Sequence, residues 1–367
     1  MIKKKILIIC PYPEGQAAGQ RLKYEQYFNY WKLKNYELTV SSYFGIKAWK
    51  ILYKPGFFFN KILSIIYGNL QRIKEVFLLY QYDVIYIFMY VTPLGSTIFE
   101  RLFRMFGKKI IYDFDDSIHL KENYKNNTSL NPFVGFFKSP NKSNYLIKYS
   151  DHVIISSPFH YEYCCKFNKY KSCTYIPCSL NTNYFFPLKK DINLQKTVNI
   201  GWTGTFSSRQ YLDSIRNVLI RLNKIIKFNL IIIGNFEYSI PGINVQVIEW
   251  NKENEIKDLQ KIDIGIYPLI KNNWTLGKGA LKAIQFMALE IPTVATDFGN
   301  TSNVIKNNFS GILVNNEEEW VASLTHLINN PKERLRLGQN ARKEIIKNFS
   351  LEALKSKYQE ILDKISH

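Results

Sequence analysis

Leu276-Gly-Lys-Gly-Ala-Leu-Lys-Ala-Ile-Gln-Phe-Met-Ala-Leu-Glu-Ile-Pro-Thr-Val-Ala-Thr-Asp-Phe-Gly299 is the stretch that decides how this chain is read. A glycine-flanked loop leads into a short helix. A proline then hands over to a strand of the buried, parallel type and another glycine turn. A helix entered through Gly277 and Gly279 leaves backbone N–H groups at its N-terminus, and these, with the helix dipole, suit an anion such as phosphate. Lys278 and Lys282 add positive charge at the same end. Gln285, one turn beyond Lys282, carries an amide able to hydrogen-bond a sugar hydroxyl. From the pattern alone, an ordinary loop–helix–strand unit of an α/β protein stays open, because glycine loops before helices are common.

Working outward, Asn199-Ile-Gly-Trp-Thr-Gly-Thr-Phe-Ser-Ser208 reads as a strand that ends in a glycine turn. Apolar residues at helical spacing follow from Arg209 to Ile226. Strand–glycine–helix is the phosphate-approach geometry of a Rossmann-like domain. Gly204, Thr205 and Ser207 are candidate pyrophosphate contacts, with Arg209 as a charge partner; a plain tight turn with Trp202 in the core is the alternative. Phe228 to Gly234 and Asp263 to Pro268 read as two further buried-type strands. In the first half, strands are expected at Lys3–Cys10, Tyr82–Met89, Lys109–Asp116, His152–Ser157 and Thr174–Cys178. Helices are expected from Gln20-Arg21 through Trp31, from Pro93 to Phe106, and over Lys142–Tyr149.

Lys109-Ile-Ile-Tyr-Asp-Phe-Asp-Asp116 ends in three acids, with His119 three residues on. Open α/β sheets place their chemistry at strand C-termini. Carboxylates there can bind a divalent metal, hold acceptor hydroxyls or support a general base. They can also simply cap a helix or pair with lysines.

The Phe286-Met-Ala-Leu-Glu-Ile-Pro-Thr-Val-Ala-Thr296 run, the Ile200-Gly-Trp-Thr-Gly204 turn and the Asp263-Ile-Gly-Ile-Tyr-Pro268 segment resemble the retaining glycosyltransferases of family 4. The resemblance covers nearly all of the C-terminal half; over the N-terminal half it is mostly one of element order. It implies the GT-B fold: two Rossmann-like α/β domains facing a central cleft. In that family two glutamates seven residues apart normally stand on the donor helix. Here the second falls on Gln285, which keeps an acceptor for ribose without the charge. The first falls on or near Gly277, and backbone N–H groups around Gly279 and Ala280 are candidates to serve instead. The resemblance also brings the first turn, with Gly19 and Arg21, toward the donor phosphates and the acceptor. It places Asp115 or Asp116 against the acceptor and a histidine near His119 against the donor sugar. It argues against a metal, so no metal or other cofactor is expected.

The 367 residues suffice for two domains with full cores. The expected boundaries are 1–190 for an N-terminal acceptor-binding domain and 191–350 for a C-terminal nucleotide-sugar domain. The resemblance implies that a helix over 351–367 crosses back onto the first domain. The five cysteines make no metal pattern, and no signal peptide or secreted framework is visible, so reduced thiols in a cytoplasm are the default. Abundant lysine, asparagine, isoleucine and tyrosine point to an AT-rich bacterial genome. The net charge of +19 is uneven: residues 1–190 hold 27 Lys+Arg against 12 Asp+Glu, the rest 22 against 18. Residues 45–81 mix aromatic, aliphatic and basic residues without reaching the ~20 apolar residues of a membrane span. Such a segment suits the surface of an anionic membrane, unless its aromatics are buried under the sheet.

The expected function is transfer of a sugar from a nucleotide-diphosphate sugar to a lipid-linked saccharide. Retention of configuration is implied by the resemblance. The setting is bacterial capsule, O-antigen or exopolysaccharide synthesis at the inner face of the cytoplasmic membrane. Catalytic candidates are Asp115, Asp116, His119 and Lys282. The missing acids keep a second reading open, a nucleotide-sugar-binding scaffold without turnover. Nucleic-acid binding is disfavoured, because the basic residues are scattered and no helix-turn-helix, RNP or zinc motif appears.

Overall fold

The computed structural model describes residues 3–93, 96–120, 140–188 and 197–366. The chain divides into two compact units. Unit 1 comprises Met1–Pro177, Gly277–Gly279 and Leu354–His367; unit 2 comprises Cys178–Leu276 and Ala280–Ala353.

Unit 1 is built on a parallel sheet of strands β1 (Lys4–Cys10), β2 (Tyr36–Ser42), β3 (Val84–Phe88), β4 (Ile110–Phe114), β5 (His152–Ile155) and β6 (Cys173–Tyr175), in the order β2-β1-β3-β4-β5-β6. Its central strands are mostly apolar, because both faces are covered; Asp113 of β4 and His152 of β5 are buried polar exceptions. Ile85, Ile87, Tyr112, Val153 and Ile155 are buried against Phe103, Leu146 and Ile147 of the flanking helices. The C-terminal helix, Leu351–Ser366, closes one side of this unit. Tyr358 lies 4.6 Å from Tyr27 and 5.7 Å from Trp31, ring centre to ring centre. Tyr36 donates to Asp363 at 2.7 Å.

Unit 2 repeats the plan with β7 (Asn199–Thr203), β8 (Asn229–Gly234), β9 (Asn244–Glu249), β10 (Ile264–Tyr267), β11 (Thr293–Thr296) and β12 (Ile312–Val314), in the order β12-β11-β10-β7-β8-β9. Every pairing is parallel. The order reverses between β7 and β10. In open α/β sheets such a switch point, at the strand C-termini, is where ligands bind. Trp202 is 1% exposed and belongs to the core of this unit with Ile200, Ile232, Ile264 and Val294.

Several sequence expectations need correction. The strand expected over Lys109–Asp116 stops at Phe114, so Asp115 and Asp116 stand in the following turn. Asp116 adopts a left-handed backbone, φ +55°, which a continuing strand does not allow. The helix expected from Arg209 to Ile226 is two helices, Arg209–Asp213 and Arg216–Ile225, interrupted at Ser214-Ile215. The one expected from Gln20 to Trp31 is three short pieces. There Gln20 bonds Tyr12 and Glu25 with its side chain and is buried, so the chain follows side-chain contacts rather than helical period. The donor helix starts at Leu281, later than the glycines suggest, with Ala280 at φ +57° as its N-cap. A separate short helix, Asn273–Leu276, precedes the loop. The end of the helix expected at Pro93 is found over Ile98–Phe106, and residues 94–95 lie outside the described residues. The linker expected near residue 190 also falls largely outside them.

Candidate functional site

In unit 2 the switch point is lined by the turn after β7. Gly204 takes its place there by donating its N–H to the Ile233 carbonyl at 2.9 Å. A Cβ on Gly204 would stand 2.4 Å from Lys282 Nζ, 2.4 Å from the Trp202 ring and 2.6 Å from Ser208 Oγ. Only glycine fits between them. Lys282, in the first turn of the Leu281–Ala288 helix, donates to Ser208 Oγ at 3.1 Å and lies 4.3 Å from the Trp202 ring centre. A half-buried ammonium over an aromatic face is held by cation–π attraction and aimed at the glycine turn. Beside it, Thr205 and Ser207 are exposed and share a hydrogen bond at 2.9 Å. The Phe206–Ser208 turn is tied to the end of β8 by Phe206 N–H donating to Asn235 at 3.0 Å.

Arg209 is engaged elsewhere. Its guanidinium pairs with Asp213 at 3.3 Å and covers the rings of Tyr238 and Phe236 at 5.3 and 5.9 Å. Gln285, on the same helix as Lys282, is buried and donates its amide to Glu255 Oε1 at 3.1 Å. Trp250 donates to the same oxygen at 3.4 Å.

In unit 1 the end of β4 carries the acids into different surroundings. Asp113 is fully buried, pairs with the equally buried Lys23 at 3.0 Å and accepts from the Tyr86 hydroxyl. Burial raises its pKa in spite of both partners. Lys23 also donates to the hydroxyl of Ser156 and, at 3.3 Å, to the Ile176 carbonyl. Asp115 is half-buried beside Gly19, where a Cβ would stand 3.3 Å from its Oδ2. Burial, then the charge of Asp116, pushes Asp115 up to about 7, against the pull of Lys23 and Lys278. Asp116 pairs with Lys278 at 3.4 Å. Arg21 is half-buried in the last turn of Ala18–Arg21.

His119 is buried, its ring 4.5 Å from His160 and 4.7 Å from Tyr163. Burial, helped by His160, pushes His119 down to about 3, and burial pushes His160 down to about 4. Both rings are therefore neutral at pH 7. Ser117 Oγ meets His160 Nε2 at 2.9 Å. Gly277 presses on this pair: a Cβ there would stand 2.2 Å from His160 Nε2 and 2.3 Å from Ser117 Oγ.

Thus Gly204 and Lys282 come together in unit 2, with Thr205 and Ser207 next to them. Gly19, Asp115, Asp116 and Lys278 come together in unit 1. Arg209 and Gln285 are held by other side chains, and His119 by ring packing. The sequence reading missed Lys23, His160, Ser208 and Glu255. Ser208 ends the glycine-turn stretch without being singled out there, and the other three stand in no motif; each is placed by the fold beside a residue far away in sequence. Among the described residues no three His, Cys, Asp or Glu side chains are grouped as a metal site.

Residues 203–344 match the family model of glycosyl transferases group 1. Apart from Gly277–Gly279 the match lies in unit 2, and it spans the Gly204 and Lys282 constellation. A stretch of 111 residues, 30% of this chain, is 28% identical to glycosyltransferase 1 domain-containing protein 1 of Xenopus tropicalis. The aligned part spans about a third of that relative, 32% of its length. Among solved structures, sucrose-phosphate synthase from Thermosynechococcus elongatus is similar with a TM-score of 0.69 at 14% identity, over 99% of both chains. A glycosyltransferase from Rickettsia africae gives 0.68 at 16% identity, over 99% of this chain and 98% of that one. HepE from Anabaena, in its complex with UDP-glucose, gives 0.67 at 11% identity, over 98% and 99%. The fold is GT-B, with two parallel six-stranded sheets and their helices.

Proposed function

We propose that the protein is a glycosyltransferase that moves a sugar from a nucleotide-diphosphate sugar to a lipid-linked saccharide, with retention, in the building of a bacterial surface polysaccharide. The placement of Lys282 carries the proposal. As the anomeric bond breaks, negative charge grows on the departing diphosphate. A preorganised ammonium over a glycine turn at a sheet switch point, beside a helix N-terminus, is suited to stabilise that charge. No metal is needed for this, and turnover is expected to survive EDTA. Asp115 and Asp116, at the end of β4, are assigned to acceptor hydroxyls. His119, neutral and packed between rings, is assigned a shape-holding role at the same end.

Thermal stabilisation by UDP, GDP, ADP, dTDP and their sugar conjugates tests the donor half. A ligand of the folded state must raise the melting temperature once it exceeds its Kd. Selective stabilisation followed by sugar transfer is expected. Stabilisation without any turnover would favour the scaffold reading, and no stabilisation by any of them would remove the donor site.

We place the working protein on an anionic membrane. The helix Phe58–Val76 turns an apolar row outward: Phe59 is 79% exposed, Leu63 62%, Leu70 58% and Phe77, just beyond it, 72%. The aromatics of residues 45–81 are thus largely surface, not core. Glu75 is the only acid in this stretch, and it is buried and paired with Arg72 at 2.7 Å. Lys47, Lys50, Lys54 and Lys74 of the same stretch are exposed, each able to add ~1 kcal/mol at an anionic leaflet. Among the described residues no helix is long and apolar enough to cross a membrane. Phosphatidylglycerol vesicles are expected to pellet the protein at low salt, and Phe59→Ser with Leu63→Ser to abolish it. Equal pelleting by phosphatidylcholine vesicles, or none by either, would contradict the assignment.

A further inference from the structure

We infer that Glu255 is a positioning residue for the donor nucleotide: it fixes which end of the Gln285 amide faces a bound ribose. The inference rests on the donor site proposed above. Glu255 is 2% exposed and opens the helix Glu255–Leu259. Two donors converge on its Oε1, the Trp250 indole N–H at 3.4 Å and the Gln285 amide at 3.1 Å. An indole nitrogen can only donate, so this oxygen is an acceptor. The Gln285 side chain must therefore present its NH2 to Glu255, which turns its carbonyl oxygen the other way.

The consequence is chemical. A free glutamine can turn either its NH2 or its carbonyl toward a given hydroxyl; one whose NH2 is anchored on a carboxylate keeps its carbonyl on the free arm. Gln285 lies one helical turn beyond Lys282, so its carbonyl serves hydroxyls of a group joined to the phosphates that Lys282 faces. The ribose 2′ and 3′ hydroxyls are such a group. Glu255, though drawn from a different part of the chain, completes a function that Gln285 alone leaves undefined.

The test is the preference for ribose over 2′-deoxyribose, measured by calorimetry with UDP or GDP, whichever binds, against its 2′-deoxy form. The wild-type protein is expected to prefer ribose by ~10-fold, the worth of about one well-placed hydrogen bond. Glu255→Asp keeps the charge and suits a helix start but withdraws the acceptor by one methylene; its preference is expected to fall to near unity. Glu255→Gln keeps an oxygen at the Oε1 position without the charge and is expected to keep the preference. A generic stabilising role for the charge predicts the opposite order. Glu255→Asp with the preference intact, or Glu255→Gln without it, overturns the inference. Equal binding of both sugars by the wild-type protein overturns it too, while leaving the donor site standing. If no nucleoside diphosphate binds, the donor site itself falls and this inference with it.

Discussion

Lys282→Ala is expected to lower sugar transfer by at least ~100-fold, the usual cost of deleting one preorganised donor from a developing anion. The melting temperature should move by only a few degrees. Lys282 is half-buried, and its contacts with Ser208 and the Trp202 ring are those of a single hydrogen bond and a cation–π pair. Together these are worth ~1–3 kcal/mol to the folded state. The large loss should appear in kcat, because the charge being neutralised is greater in the transition state than in the bound donor. Lys282→Arg should recover little: the planar guanidinium is wider than an ammonium, and Gly204 leaves no slack on that side. A well-folded Lys282→Ala protein with near-normal turnover would remove the assignment of this residue.

The largest stability effect is expected at Lys23→Met, which should cost ~3–5 kcal/mol in urea unfolding because it strands a buried carboxylate. Lys23 and Asp113 are both fully buried and 3.0 Å apart, so neither can turn to water when the other is lost. Adding Asp113→Leu should restore much of the loss, since a buried pair replaced by apolar groups is often close to neutral. The penalty of the single variant should narrow in acid. Burial already holds the Asp113 pKa above its ordinary value of 3.8, so the native state takes up a proton more readily than the unfolded chain. Stability contributed by this group therefore rises as pH falls through its native pKa toward 3.8, and loss of Lys23 widens that window upward. A single variant as stable as the wild-type protein would show that the pair is not what holds this corner.

Much of the fold was legible because the strands buried on both faces are predominantly apolar runs, with few polar residues such as Asp113 in β4. β1, β3, β4, β5, β7, β8, β10 and β11 were all expected near their places, as was the short β6. The three strands missed, β2, β9 and β12, are all sheet edges. β9, Asn-Val-Gln-Val-Ile-Glu, has no fully buried residue, and β2 alternates with polar residues. An edge strand has one strand neighbour and one wetter side, so the apolar run that marks a central strand is absent. The site was legible where backbone geometry writes itself into sequence, as at Gly204 and the loop before Lys282. It was illegible where a side chain meets a partner from another segment. Gln285 reads as a lost charge until Glu255 is seen beside it. Gly277 reads as a lost side chain until His160 and Ser117 are found filling its place.

Unit 1 is discontinuous along the chain, and this bears on how the protein is born. A nascent chain leaves the ribosome N-terminus first, and domains commonly fold as they emerge. Here β1 to β6 are made first, yet Tyr358, which covers Tyr27 and Trp31, is translated only after all of unit 2. Until then a buried aromatic face of the first unit lies open in the cell, a natural client surface for chaperones. Unit 2 has all its own strands within Cys178–Ala353, broken only by Gly277–Gly279, and can settle earlier than the unit that precedes it in synthesis.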